Sequence, residues 1–154
     1  MRKFLLILLC SILCSASSLG AQAIEPLQWK FSGRHLGGDE FELVFTAKIQ
    51  KGWSTYSQFH TSDEGPVPTR VVFESPNATL LDEGSEEGHL VRLEKDPVFG
   101  VPVINFQKDF IIRKHVQVSD CGLPIVGRIT AMCSNGEKCL PPKEYEFSVL
   151  LKKP

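Results

Sequence analysis

Two cysteines with five residues between them, Cys133 and Cys139, flank the strongest turn signal in the chain, within Ala131-Met132-Cys133-Ser134-Asn135-Gly136-Glu137-Lys138-Cys139-Leu140-Pro141-Pro142. Paired thiols can close a disulfide or exchange one with a partner. Asn135-Gly136 tolerates the positive φ that a tight turn between two strands demands, so the segment predicts a β-hairpin with a cysteine on each arm. If the cysteines face each other, their Cα atoms lie about 4.5 to 5.5 Å apart, inside the roughly 4.4 to 6.8 Å that a disulfide needs. Such a short loop gives a bridge only about 2.4 kcal/mol of stabilisation. A bridge at a hairpin tip therefore holds little that the turn does not already hold, although an ordinary structural disulfide is the commoner use of paired cysteines in exported chains. Lys138 favours a thiolate at Cys139 while Glu137 opposes it, leaving the net effect on its reactivity open. Pro141 and Pro142 cannot donate ladder hydrogen bonds, so the outgoing arm stops or sits at an edge there and leaves Cys139 near a rim.

The remaining chemistry is sparse. His35, His60, His89 and His115 lack the paired spacings of zinc sites, and the cysteine spacing is longer than usual for zinc. A set of Cys121, Cys133, Cys139 and one histidine is the weaker, metal-binding reading; no cofactor is expected. No nucleophile elbow, phosphate-binding glycine loop or His-Glu-x-x-His occurs, which removes the starting residue for hydrolase, nucleotide and zinc-protease readings. No Cys-x-x-Cys opens a helix, so the chain is not a thioredoxin.

The elements that must position the cysteines read as strands. Leu27, Trp29 and Phe31 alternate with polar neighbours before Gly33, and Phe41, Leu43, Phe45, Ala47 and Ile49 repeat the period of two. Gly37-Gly38-Asp39 supplies a turn between them. Arg70 to Glu74 and Leu90 to Glu94 are further strand candidates, separated by the acidic, glycine-rich stretch Asp82 to Gly88, which reads as a solvated loop. Val101 to Val118 is β-branched and aromatic enough for one or two long strands. Gly127 to Cys133 enters the hairpin, and Tyr145 to Leu150 continues from it. Trp53 and Tyr56 read as core aromatics or as rim aromatics near the cysteines. Without any helical period, an all-β sandwich follows from the pattern.

Met1-Arg2-Lys3, an apolar run from Phe4 to Cys14 and small residues up to Ala21 have the layout of a secretory signal peptide, residues 1–21, cleaved after Ala21 or Ala23. The run is too short for a membrane span. Residues 22–154 then form one domain, with Cys10 and Cys14 removed and three cysteines left in an oxidising, periplasmic compartment. Seventeen basic against eighteen acidic residues, unclustered, give no case for nucleic acid or an anionic membrane, which leaves proteins as partners.

The Cys-x5-Cys-Leu-Pro-Pro motif and the strand after it resemble the N-terminal periplasmic domain of the DsbD thiol:disulfide interchange protein family. Gly52-Trp53-Ser54-Thr55-Tyr56-Ser57, Gly65-Pro66-Val67-Pro68-Thr69 and Asp96-Pro97-Val98-Phe99-Gly100 are similar to that family's successive landmarks, in its order, over nearly the whole mature chain. Ser54 stands where relatives carry histidine, and Cys121 is additional. The resemblance implies an immunoglobulin-like β-sandwich and a redox-active pair, Cys133 and Cys139, with Cys139 engaging partners and Cys133 resolving the mixed disulfide. It implies further that Asp96, Pro97, Val98, Phe99 and Gly100 form a cap loop over the disulfide, and that Tyr56, Lys138 and Pro141 flank the site. The implied activity is that of a thiol-disulfide oxidoreductase, a monomer relaying electrons between thioredoxin-like proteins or a membrane electron-transfer protein and other exported proteins. The competing class is an exported immunoglobulin-like binding module with a structural disulfide. Reduction potential separates them, since a structural bridge sits below about −300 mV and an exchanging one between about −120 and −270 mV.

Overall fold

A computed structural model describes residues 24–61 and 63–154, and the expected signal peptide with Cys10 and Cys14 lies outside the described residues. Every element among the described residues is a strand: β1 (Leu27–Gly37), β2 (Glu40–Ile49), β3 (Ser54–Tyr56), β4 (Arg70–Phe73), β5 (Ala78–Leu80), β6 (Ser85–Leu93), β7 (Val103–Val118), β8 (Ile125–Ala131), β9 (Cys133–Ser134) and β10 (Lys143–Val149). A seven-stranded sheet runs β1-β2-β7-β3-β9, with β5 and β6 also paired to β7, and a three-stranded sheet runs β10-β8-β4. All pairings are antiparallel. This is the β-sandwich that the period-two segments predict, of the immunoglobulin-like kind that the family resemblance implies.

The apolar positions of those segments make the core. Phe41, Leu43, Phe45 and Ala47 from β2 meet Ile112 and Val116 from β7, and Ile125, Ile129, Phe147 and Val149 close over them from the smaller sheet. The Phe147 ring sits 5.0 Å from Phe45 and 5.7 Å from both Phe31 and Phe73, mostly edge to face, which ties the sheets together.

Two boundaries differ from the sequence expectation. β1 runs through Gly33, against which the Leu151 side chain packs: a Cβ there would lie 2.1 Å from Leu151 Cδ2. The acidic stretch expected as a loop supplies Ser85 to Gly88 of β6, paired to β7 only. An edge strand whose side chains face water needs no apolar alternation and tolerates charge, which is why its composition reads as loop.

The smaller sheet carries the cysteine segment. β8 and β10 pair in register from Ile125↔Val149 to Ala131↔Lys143. Beyond Ala131 the chain changes sheets within one residue, Met132, and β9 joins the edge of the larger sheet by pairing Cys133 with Thr55 and Ser134 with Ser54. The tip of the hairpin thus lies across the end of the sandwich.

Candidate redox site

Short strand β3 is the floor of the site. It lies between β7 and β9, with Thr55 opposite both Phe106 and Cys133. Side chains reinforce the join: the Thr55 hydroxyl donates to Met132 O at 3.0 Å and the Ser54 hydroxyl to Ser134 O at 3.2 Å. Asn135 shapes the turn beyond, donating its N–H to Lys138 O at 3.1 Å while its Oδ1 accepts from the N–H groups of Glu137 and Lys138. Only Gly136 takes a positive φ, +84°, so the turn centres on Gly136-Glu137, one residue later than the Asn-Gly signal predicts.

That shift alters the cysteine geometry. Ser134 stands opposite Cys139, and Leu140 N–H donates to Cys133 O at 2.8 Å, so Cys133 opposes Leu140 and the two cysteines are diagonal rather than facing. All three described cysteines are free thiols. The Cys139 thiol donates to Cys133 O at 3.3 Å, with Leu140 O at 3.7 Å. Cys133 is only 4 % exposed, whereas Cys139 is half-buried and the more accessible. Cys121 is half-buried in the turn between β7 and β8, packed against the core.

Electrostatics keep both thiols protonated. Burial pushes Cys133 up to about 11, assisted by the proximity of Cys139 and partly offset by the Thr55 hydroxyl. Cys139 is also pushed up to about 11, first by burial and then by the negative charge of Asp96. The carboxylate that bears on Cys139 therefore comes from the 96–100 loop. Lys138, adjacent in sequence, is exposed.

Asp96 is 3 % exposed and organises that loop. Its Oδ1 accepts from Val98 N–H at 2.8 Å and Phe99 N–H at 3.0 Å, its carbonyl from Gly100 N–H at 2.8 Å, and its Oδ2 from the Tyr56 hydroxyl at 3.4 Å. Gly100 closes the turn at φ +73°, a conformation that favours glycine. The Phe99 ring stands edge-on to Tyr56 at 6.1 Å, and Pro97 reaches the hairpin turn, where a Cβ on Gly136 would lie 3.8 Å from its Cγ. Val98 points outward, 37 % exposed. Tyr56 is fully buried, and its phenol is held above its usual range first by burial, then by Asp96 and Cys139, with Ser134 acting in the opposite sense.

Two hollows flank the hairpin. A cleft of about 310 Å³ between the 96–100 loop and the turn is bordered by Trp53, Asp96, Pro97, Asn105, Ser134 and Gly136. A larger groove, about 610 Å³, opens beside Cys133 among Pro26, Leu140, Pro141, Pro142 and Tyr145. Cys133 and Cys139 lie on the hairpin, Asp96 and Phe99 meet at Tyr56, and Lys138 and Pro141 are exposed. Thr55 and Ser134 belong to the site and Asn105 borders the cleft beside it, and none carried a signal beyond the strand alternation. Trp53 serves both roles offered for it, since it is buried in the core and borders the cleft.

No family model matches the chain, and no curated protein matches it by sequence. Solved structures do. The chain superimposes on the N-terminal periplasmic domain of ScsB from Proteus mirabilis with a TM-score of 0.58 at 13% identity, covering 83% of this chain and 47% of that one. The fold is that of the ScsB domain. It accounts for about half the length of that structure. The DsbD N-terminal domain of Neisseria meningitidis, in its reduced form, is matched more loosely, with a TM-score of 0.43 at 12% identity over 83% of this chain and 87% of that one. The expectation of a DsbD N-terminal-domain-like architecture is thus met at the level of the fold. Among the described residues, no helix is long and apolar enough to cross a membrane.

Proposed function

We propose that this chain is an exported, periplasmic thiol-disulfide exchange module, passing reducing equivalents between a thioredoxin-like or membrane electron donor and other exported proteins through Cys133 and Cys139. In this reading, residues 1–21 are the export signal and 22–154 the working domain. The observation that carries it is the placement of two thiols on one hairpin tip, the outer one half-buried and within reach of the charge of Asp96 in the 96–100 loop. The ScsB-like fold agrees with this reading.

The reaction begins when the loop moves aside and Cys139, freed from burial and from Asp96, loses its proton to solvent. Its thiolate attacks one sulfur of the partner's disulfide, forming a Cys139–partner bond and releasing the partner's other sulfur, which takes up a proton. Cys133 then gives up its proton and attacks the Cys139 sulfur. The Cys133–Cys139 bond forms and the partner leaves with its second thiol, so two electrons and two protons have moved to the partner. A donor dithiol returns them by the reverse sequence. The protonated, covered dithiol prevents loss of these electrons to adventitious disulfides, because only the thiolate is nucleophilic.

Trapping tests the proposal. Cys133→Ser, expressed in an exporting host, should accumulate mixed disulfides at Cys139 with thioredoxin-like proteins, seen as reducible bands on a non-reducing gel, and Cys139→Ser should accumulate far fewer. If neither variant traps a partner and the wild-type pair has a potential below about −300 mV, the binding-module reading replaces this one.

A further inference from the structure

The cleft between the 96–100 loop and the hairpin turn holds an unused polar group. Asn105, in β7 opposite Tyr56, is 2 % exposed, and its Oδ1 has no hydrogen-bond partner. Buried polar atoms are nearly always paired, so an orphan oxygen on a residue that borders a cavity points to an occupant that supplies the missing bond once the carboxamide turns toward it. Gln107, two residues along β7, borders the same cleft. Two residues of strand advance about 6.6 Å, which is also the repeat at which an extended peptide presents peptide groups to one side. A carboxamide offers one donor and one acceptor direction, as a peptide group does.

The rest of the lining narrows the ligand. Its single charge is the Asp96 carboxylate, which disfavours anions, and Trp53 supplies a flat apolar wall. Ser134, opposite Cys139 in the hairpin, also borders the cleft, which puts an occupant one cross-strand position from the outer thiol.

We propose that this cleft seats the main chain flanking the partner's reactive cysteine, with the Asn105 carboxamide hydrogen-bonded to one of its peptide groups. The assignment rests on the exchange reading above and adds to it what the site recognises: extended, uncharged or basic polypeptide next to a disulfide. It makes Asn105 a positioning residue, since it touches the partner's backbone and not the exchanging sulfurs.

The test uses the reduced protein and two probe disulfides, which oxidise Cys133 and Cys139 to their disulfide as each probe becomes two thiols. One probe is the symmetric disulfide of N-acetyl-Gly-Cys-Gly-amide and the other is hydroxyethyl disulfide, which has no peptide group. Asn105→Leu should slow oxidation by the peptide roughly two- to tenfold, the value of one hydrogen bond, and leave hydroxyethyl disulfide unchanged. A second measurement leaves the protein untouched: backbone N-methylation at one of the two glycines should cost the peptide a similar factor against the wild type. If both methylated peptides react as fast as the parent, the assignment is overturned while the exchange reading stands. If the wild type reacts with neither probe, the exchange reading falls and this one with it. Equal slowing of both probes in Asn105→Leu marks a general distortion, and the methylated peptides then decide.

Discussion

At the scale of single residues, the balance between Asp96 and the two thiols governs reactivity. Both cysteines sit at about 11, and burial is the leading cause for each, but only Cys139 also carries the charge of Asp96. Asp96→Asn removes that charge and retains an oxygen able to accept the Val98 and Phe99 N–H bonds that hold the loop. The pH-rate profile of Cys139 alkylation by iodoacetamide, read site by site by mass spectrometry, should move to lower pH. Because burial remains, the midpoint should stay above 9.0, the value of an unperturbed thiol. The Cys133 profile should not move to lower pH with it, because a Cys139 thiolate only pushes Cys133 up. Asp96 lay in plain view in the sequence as a turn residue, but its electrostatic part in the site did not, because Asp96 and Cys139 meet only when β6, β7 and the hairpin are assembled.

At the scale of elements, the loop and the hairpin turn are separate devices. Phe99 is half-buried and packs edge-on against Tyr56 outside the main core, so Phe99→Ala should loosen the loop without unfolding the sandwich. Oxidised protein carrying that change should be reduced faster by dithiothreitol, with an unaltered circular dichroism spectrum; unchanged kinetics would make Phe99 simple packing. The smaller sheet, by contrast, cannot yield. Gly127 in β8 lies under Phe147 and beside β4, where a Cβ would sit 2.1 Å from Val72 O and 2.6 Å from the Phe147 ring. Gly127→Ala should destabilise the domain by about 1 to 3 kcal/mol, the usual cost of overpacking, measurable as a lower midpoint in urea.

These elements also show what a sequence can and cannot disclose. β2, the second half of β7 and the end of β10 were legible because their inward positions repeat every two residues and bury, from Phe41 to Ile49, from Phe110 to Val118 and at Phe147 and Val149. β6 was half-legible, since its first residues face water on an edge, where no rule forces them to be apolar. The hairpin was legible as a turn but not in register, because Asn135 spends its side chain on the loop's N–H groups and passes the positive φ to Gly136 alone. Register decides which side chains face, so the diagonal placement of Cys133 and Cys139 followed from one residue of uncertainty.

At the scale of the molecule, the proposed exchange couples the redox state of the two thiols to stability. In the folded dithiol they titrate at about 11, against 9.0 for an unperturbed cysteine, so between those values the unfolded chain has lost protons that the native state still holds. A group whose folded value is raised stabilises fully below its unfolded value, and that contribution is lost as pH rises through the folded one. The reduced protein should therefore lose stability progressively from about pH 9 to pH 11. The oxidised protein has no thiol at these positions to titrate and should lack that component. The other side chains are the same in both forms and largely cancel in the difference. Urea denaturation of both forms across this range should show the oxidised form gaining on the reduced one as pH rises, which makes the disulfide harder to reduce at high pH than two ordinary thiols would predict. Parallel stability curves for the two forms would mean that the thiols are not buried together as described, and that solvent reaches Cys139 without the loop having to move.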